Sequence, residues 1–281
     1  MSVYRIWTIM RLTFLEARRR RIVPAALACG GLFLLVYGTA LYFIFANMNG
    51  GPGPVNVLQR QAQLEFLVLA GLYVVNFLAV AAAVLLPVDT LSGEIDSGVM
   101  QTLASKPIGR SDIVLGKWLT YLAMTAAYVV LMGGGIAVIA FAVTGFWQPH
   151  LERALPLMML AAAVMLTVTT AGGVRLTTIT NGIVAFGFYG LAFIGGWVEQ
   201  IGTFTQNEAA RYIGTAISLV NPSDALWRRA AHELLPPLLR NLPVTPFASA
   251  SVPSTAMIVW AGVFVVLVLG LALRWFARRP L

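Results

Sequence analysis

The chain has 281 residues, of which 59% are hydrophobic and 11% carry a charge. Soluble domains average about 45–50% apolar residues, so this composition excludes an ordinary water-soluble globular domain. A formal net charge of +8 would suit a nucleic-acid partner, but the bases cluster beside long apolar stretches. That placement is typical of membrane topology and lipid contact, so no nucleic-acid partner is predicted. The single cysteine, Cys29, excludes an internal disulfide.

Residues 1–21 come before the first long apolar stretch, and we predict that they form an amphipathic helix on the inner membrane surface. Apolar residues recur there at steps of three and four, which is the spacing of one helix face. The alternative is a direct extension of the first span with a basic flank. The residues of the predicted apolar face are Val3, Ile6, Trp7, Met10, Phe14 and Ala17.

Residues 22–281 contain six long uncharged stretches and are predicted to form a six-helix transmembrane domain. About 20 apolar residues in a helix cross a hydrocarbon core of about 30 Å, and a lipid-exposed backbone must satisfy its own hydrogen bonds. The predicted fold class is therefore all-α, a polytopic membrane protein. The predicted spans are Pro24–Ala46, Leu64–Val88, Ile113–Thr144, Leu155–Gly173, Asn181–Gln200 and Thr255–Phe276.

The basic residues predict the orientation of these spans. Six spans place both termini on one side, together with the loop of residues 89–112 and the loop that holds Arg175. That side collects 13 of the 19 Lys and Arg residues. Because cytoplasmic loops carry the excess of bases, we expect both termini in the cytoplasm and the protein in the cell (plasma) membrane.

The interval after the second span is rich in charge for this chain, with four acids and three bases in residues 89–117. Ser92 is predicted to cap a short helix, and Glu94 lies in its first turn, where the helix dipole favours an acid. Pro107 ends that helix. Residues 89–112 are therefore expected to form a loop with a short amphipathic helix beneath the membrane, which can bind a partner and pass force to the flanking spans.

The same interval lacks the features of a catalytic site. The stretch LGKW, residues 115–118, contains the Gly-Lys pair of a P-loop. That motif also requires a glycine five residues earlier, where Ser111 stands, and Ser or Thr after the lysine, where Trp118 stands. Ser111 is instead predicted to cap the third span. The acids have no nearby histidine, so neither a catalytic residue nor a metal site is predicted.

Twelve residues of this interval are in register with a known pattern, E-R-E-x-G-T-L-x-x-L-L-S-x-P-[VI]-x-R-x-[ED]-[IL]-x-L-G-K. They resemble the first cytoplasmic loop of type-2 ABC exporter permeases, and in particular of the small six-span branch that includes the nitrous-oxide-reductase maturation permease. Ile95 and Val99 depart from the pattern, at the base between the acids and at the threonine after the glycine. The matching residues are Glu94, Asp96, Gly98, Leu103, Ser105, Pro107, Arg110, Asp112, Ile113, Leu115, Gly116 and Lys117.

The resemblance implies a function and partners for the chain. In this family the loop is a coupling helix that docks on a separate cytoplasmic P-loop ATPase, and two permeases pair with two ATPases. ATP and Mg would then be bound by the partner, and this chain would bind no cofactor and would not be an enzyme. Lys117 is expected to mark the membrane boundary. The residues expected to dock on the ATPase are Glu94, Asp96, Gly98, Leu103, Pro107 and Arg110.

Residues 201–254 form the longest polar connection and are expected to make an outer-side cap between spans five and six. A helix is predicted over Glu208–Leu219 with Asn207 as its cap, and another over Ala225–Leu235. Between them, NPSDALWR (residues 221–228) resembles an NPxDxxR element of the same permeases, with its arginine one residue later.

Polar residues within the spans are few, and none at mid-span is ionisable, which argues against an ion-coupled secondary transporter. An apolar lining with threonines favours a lipid-like cargo, whereas methionines without cysteine or histidine beside them give little support for a copper path. A force transmitter that acts on an outer-side protein partner without moving cargo is an alternative. The residues predicted to line a cargo path are Asn76, Thr167, Thr169 and Thr170.

Overall fold

A computed structural model describes residues 3–50, 57–96, 109–235 and 251–279 of the chain. Within these ranges all regular structure is helical and no strand occurs, which confirms the predicted fold class. The helices are α1 (Val3–Arg19), α2 (Ile22–Gly50), α3 (Val57–Leu85), α4 (Ser92–Asp96), α5 (Arg110–Thr144), α6 (Leu151–Gly173), α7 (Thr178–Phe204), α8 (Glu208–Val220), α9 (Ser223–Leu234) and α10 (Thr255–Arg278).

Six of the described helices are long and apolar enough to cross a membrane: α2, α3, α5, α6, α7 and α10. They correspond one to one with the predicted spans, so the chain is a multi-pass membrane protein. The bounds differ most at α3, which begins at Val57 rather than Leu64 and ends at Leu85 rather than Val88. The helix continues through Arg60 and Glu65 at its start, and Pro87 lies in the turn that follows its end.

Helix α6 is the centre of the bundle, because most of its membrane-spanning length is buried and it contacts α3, α5, α7, α9 and α10. Its Ala161–Ala163 run is buried among these neighbours. Small side chains allow helices to approach closely in lipid, where no hydrophobic effect drives them together. By contrast, α2 and α10 leave most of their apolar surface exposed.

Helix α1 is separated from α2 by a short break at Arg20 and Arg21, and it packs on α5. Its buried residues are Ile9, Thr13 and Ala17. The predicted apolar face is turned only partly toward the bundle: Ala17 is buried, whereas Val3, Trp7 and Phe14 are exposed. Small residues at the contact, including Gly116 of α5, let the two helices approach, and the large apolar residues are left for another environment. That this environment is the membrane surface stays a prediction.

After α7 the chain reverses and α8 packs antiparallel against it. Asn207 caps α8 by accepting a hydrogen bond from the backbone N–H of Ala210 at 3.2 Å, as predicted. Gly202 and Gly214 lie so close to the facing backbone that an added Cβ would collide with it. Helix α9 follows an Asn-Pro turn and packs mainly on α6. Both helices predicted between spans five and six are thus present, with bounds within two residues of those expected.

Candidate functional site

The turn that leads from α3 into α4 is buried against several other elements. Ser92 does not act as a helix cap: its hydroxyl donates to the carbonyl of Val88 at 3.1 Å and lies 2.9 Å from the hydroxyl of Thr178. The Thr90 hydroxyl lies 2.7 Å from the Tyr121 hydroxyl on α5. These contacts tie the start of the predicted coupling loop to both α5 and α7.

Asp89 accepts hydrogen bonds from Thr178 and Arg20, which belong to separate parts of the chain. Thr178, at the start of α7, donates to its Oδ1 at 2.8 Å, and Arg20, at the end of α1, approaches its Oδ2 at 3.4 Å. Arg20 also pairs with Glu16 on its own helix at 2.6 Å. Partial burial lowers the pKa of Arg20, but the hydrogen bond and charge of Glu16 outweigh it and raise the pKa above its ordinary value. Arg20 is therefore a permanent cation at this junction.

Glu94 pairs with Lys117 of α5. The side chains are 12% and 6% exposed, so both charges are largely removed from solvent. A buried ion pair of this kind tolerates the loss of one partner poorly, because the remaining charge has no compensation. Lys117 is therefore the anchor of α4, and its expected position at the membrane boundary stays a prediction. The docking role of Glu94 stays a prediction.

Arg110 is the first residue of α5, and its side chain reaches the end of α10. It donates to the backbone carbonyls of Arg279 at 2.6 Å and of Ala277 at 3.3 Å. A base is favoured there, since the last carbonyls of a helix lack partners and carry partial negative charge. Ser111 is not the cap of α5, because the helix already begins at Arg110. Gly109 occupies the cap position, and no side chain makes a cap hydrogen bond.

The remaining predicted docking residues cannot be placed. The side chain of Asp96 and the whole of residues 97–108, with Gly98, Leu103 and Pro107, lie outside the described part of the chain. The residues on either side of this segment make specific contacts with other helices. On one side Asp89, Ser92 and Glu94 contact α1, α5 and α7, and on the other side Arg110 contacts α10. A displacement of the loop would therefore act on four helices directly.

The residues predicted to line a cargo path lie inside the helix bundle. The hydroxyls of Thr167, Thr169 and Thr170 donate to backbone carbonyls one turn earlier in α6, at 2.6, 2.9 and 2.8 Å. Thr167 also accepts a hydrogen bond from the indole N–H of Trp118 at 3.0 Å. Asn76 of α3 is 2% exposed. All four side chains pack between helices of this chain, and their role in cargo passage stays a prediction.

A buried charged cluster at the opposite end of the bundle was missed by the sequence analysis. Arg228 of α9 is 2% exposed and donates to Glu199 of α7 at 2.9 Å and to Asp224 at 3.0 Å. Ser218 of α8 accepts from the same guanidinium at 3.0 Å, and Ser251 donates to Glu199 at 2.5 Å. The signal in the sequence was Glu199, an acid near the end of an apolar span, because such a residue almost always has a partner.

The Asn-Pro element organises this cluster. The Asn221 side chain donates to the carbonyl of Phe188 at 2.8 Å and accepts from the backbone N–H of Ser223 at 3.2 Å, which fixes the turn between α8 and α9. The turn directs Asp224 toward Gly196 of α7, where a Cβ would collide with the carboxylate. Burial raises the pKa of Asp224 to about 6, and the nearby Arg228 guanidinium offsets part of that effect.

Within the described ranges, no three His, Cys, Asp or Glu side chains come together in a way that would hold a metal ion. The arrangement instead provides two sets of mechanical links, one around the predicted loop and one at the far end of the bundle. Such links suit the transmission of movement between packed helices.

Comparisons with known proteins assign the family. The sequence matches the ABC-2 family transporter protein over residues 7–279. It is 27% identical to the probable ABC transporter permease protein NosY of Pseudomonas aeruginosa, with 98% of this chain and 99% of that protein covered. It is 28% identical to the protein of the same name from Stutzerimonas stutzeri over 49% of this chain and 45% of that one. The chain therefore belongs to the ABC-2 transporter family and is the membrane subunit of an ABC transporter.

Proposed function

We propose that this chain is the permease of an ATP-driven exporter and that residues 89–112 couple it to the ATPase. Family membership implies that ATP hydrolysis takes place on a separate partner subunit. The observation that carries the proposal is the anchoring of the loop: Asp89 and Glu94 are held by α1, α5 and α7 immediately before residues 97–108. A partner that bound and moved the loop would therefore move these helices.

These contacts define the path along which a force applied to the loop would reach the helices. A push on the loop passes through the buried Glu94–Lys117 pair into α5 and through Asp89 into the start of α7. At the other flank, Arg110 links α5 to the end of α10. Because packed helices rearrange between discrete positions and do not deform smoothly, a small displacement there can change the packing of the whole bundle.

The exposure of α2 and α10 bears on how the complete transporter is assembled. We infer that a second copy of the permease completes the transporter, since only a small part of α2 and α10 is buried against the described residues of one chain. ATP and Mg would be bound only by the ATPase subunits. The excess of bases beside the loop supports a cytoplasmic position for both termini and insertion in the plasma membrane.

The coupling role of Glu94 is tested by a charge swap. Glu94→Lys alone breaks the pair with Lys117, whereas Glu94→Lys combined with Lys117→Glu restores a pair of reversed polarity. Each variant would be purified with its ATPase, and the amount of ATPase retained would be compared with the melting temperature of the permease. If Glu94 docks on the ATPase, the swap recovers stability without recovering association.

Recovery of both properties in the swap would show that Glu94 only supports α4. Asp96→Lys provides the complementary arm, because it leaves the Glu94–Lys117 pair intact. We expect it to reduce ATPase retention while the melting temperature stays within the error of the wild type. If the Asp96→Lys variant and the swap variant each retained the ATPase, the docking assignment would be removed for both acids.

A second function, force transmission to an outer-side protein, is favoured by one observation. The four polar side chains predicted to line a cargo path are all engaged in packing within the bundle, while Arg228 fixes α9 to α7 at the far end. Reconstituted transporter would decide between the two functions. Stimulation of ATP hydrolysis by an added amphiphile supports export, whereas a co-purifying outer-side protein with no such stimulation supports transmission.

A further inference from the structure

An arginine-lined cleft of about 650 Å³ lies between the α6–α7 connection and the end of α10. We call it the arginine cleft. It is on the same end of the bundle as the predicted loop, because Arg110 contacts the backbone at Arg279. The side chains that define it are Arg175, Leu271, Arg274, Trp275, Arg278 and Arg279.

Two of its arginines are held in place. The Arg175 guanidinium lies over the Trp275 ring, 4.3 Å from its centroid, and Arg279 donates to the backbone carbonyl of Val174. Arg274 and Arg278 are one turn apart on α10, so they lie on the same face, and both are exposed. The positions of Arg175 and Arg279 are therefore fixed, while Arg274 and Arg278 present two exposed guanidinium groups side by side.

Positive charge dominates the described lining of the cleft, which contains no Asp or Glu. Within the described residues, none of its four arginines is within ion-pair distance of an acid, although six arginine–acid pairs occur elsewhere in the same ranges. Four like charges converging on one cleft repel each other, and an anion from outside the chain would relieve that repulsion. Arginine suits phosphate in particular, since its planar group donates two parallel hydrogen bonds.

The surroundings favour a lipid as the source of that anion. Leu271, one turn before Trp275 and part of the apolar length of α10, is 41% exposed on the same side of the cleft. Tryptophan is enriched where a span leaves the hydrocarbon for the headgroup layer. The cleft thus combines an apolar edge at the depth of the acyl chains with guanidinium groups at the depth of the phosphates. Basic pockets between spans on the cytoplasmic side of a membrane bind anionic headgroups, and the proposed orientation puts this end of the bundle on that side.

We propose that the arginine cleft is a binding site for the phosphodiester headgroup of an anionic phospholipid. The fixed Arg175 and Arg279 position one side of the headgroup, and Arg274 and Arg278 close on it from α10. Trp275 provides the aromatic surface between the headgroup and the first acyl carbons. The assignment is independent of the coupling role proposed for residues 89–112.

Native mass spectrometry of the detergent-purified wild-type complex, titrated with phosphatidylglycerol or phosphatidylcholine, tests the site. Arg274→Gln with Arg278→Gln removes two charges from the cleft. Arg153→Gln with Arg211→Gln removes two from the other end of the bundle as a matched control. We expect the wild type to retain phosphatidylglycerol at least about 10-fold more strongly than phosphatidylcholine, because both lipids carry the phosphodiester but the arginines repel the choline cation of phosphatidylcholine. The cleft variant should lose that preference and the control should keep it.

A conservative variant separates geometry from charge. Arg274→Lys with Arg278→Lys keeps both charges but loses the bidentate donors, so weaker retention of phosphatidylglycerol with the preference preserved supports the proposal. Equal lipid retention by the wild type and the glutamine variant would overturn it. Displacement of phosphatidylglycerol by soluble glycerol phosphate at comparable concentration would assign the cleft to a soluble phosphate compound instead. Loss of the ATPase from the glutamine variant, with lipid retention unchanged, would assign it to the protein partner.

Discussion

The Thr178 hydroxyl, on the first residue of α7, donates a 2.8 Å hydrogen bond to Asp89, in the turn between α3 and α4. The two residues are 89 positions apart in sequence and join the second span to the fifth. Arg20 brings the end of α1 to the same carboxylate. Three separate parts of the chain therefore meet immediately before the loop that we assign to ATPase coupling.

Adjacent threonines provide a matched test of this junction. Thr178→Val removes the hydrogen bonds to Asp89 and Ser92, whereas Thr177→Val removes only a surface contact with Thr180. We expect Thr178→Val to lower the free energy of unfolding by about 1–2 kcal/mol and Thr177→Val by less than about 0.5 kcal/mol. Thermal unfolding in detergent measures both. ATP turnover of the assembled complex should fall only for Thr178→Val, and equal turnover would argue against force passing through this contact.

The Arg228 cluster predicts a large loss of stability from one substitution. Arg228→Met leaves Glu199 and Asp224 buried without their cation, so we expect a loss of about 3–5 kcal/mol in the free energy of unfolding. Arg229 is the matched control, because within the described residues its ion pair is with Glu233 on the same helix and its side chain is partly exposed; Arg229→Met should cost about 0.5 kcal/mol. Similar melting temperatures for the two variants would contradict the structural role given to Arg228.

Close packing of α7 on α8 predicts a second contrast. A Cβ at Gly214 would lie 2.7 Å from the backbone of Glu199 and of Gly195, which cannot move aside as a flexible side chain can. Gly214→Ala should therefore destabilise by about 2–3 kcal/mol. Gly190→Ala, in α7, meets no atom within 4 Å and should be neutral or slightly stabilising. A neutral Gly214→Ala would show that the two helices do not pack this closely.

Asp224 predicts the pH dependence of the same region. Its pKa is raised to about 6 by burial, with Arg228 and Glu199 as the charged groups that face it. Between about pH 4 and 6 the folded state therefore holds a proton that the unfolded state has released, so this group's contribution to stability falls as pH rises through that window. The contribution is at most about 3 kcal/mol. The wild type should gain stability between pH 7 and pH 5, and Asp224→Asn should gain less; parallel pH profiles would contradict the assignment.

Local signals in the sequence predicted which helices form but not every helix start, since Ser92 and Ser111 are not caps. Apolar length predicted all six spans, and Asn207 predicted the start of α8, because both depend on residues that are neighbours in sequence. The inward face of α1 was not predictable in the same way. Its buried side is set by Gly116 of α5, a residue more than a hundred positions away, whose missing side chain leaves room for Ile9.

The candidate site shows the same division. The pattern around residues 89–117 identified the family, and the match of the family to residues 7–279 confirms it. Pairings were harder to foresee: neither the contact of Lys117 with Glu94 nor that of Arg228 with Glu199 was predicted. Each of these pairs depends on how separate helices pack. The position of Glu199 near the end of an apolar span indicates that it has a partner, but its local segment does not indicate which residue that partner is.

The central claim, that this permease is coupled through residues 89–112 to a separate ATPase, is tested most directly by purification. The tagged wild-type permease would be expressed with its chromosomal neighbours, extracted in mild detergent, and compared with Asp96→Lys by quantitative mass spectrometry. We predict a P-loop ATPase at a one-to-one ratio with the wild-type permease and its depletion in Asp96→Lys. Recovery of the wild-type permease without any ATPase would contradict the account.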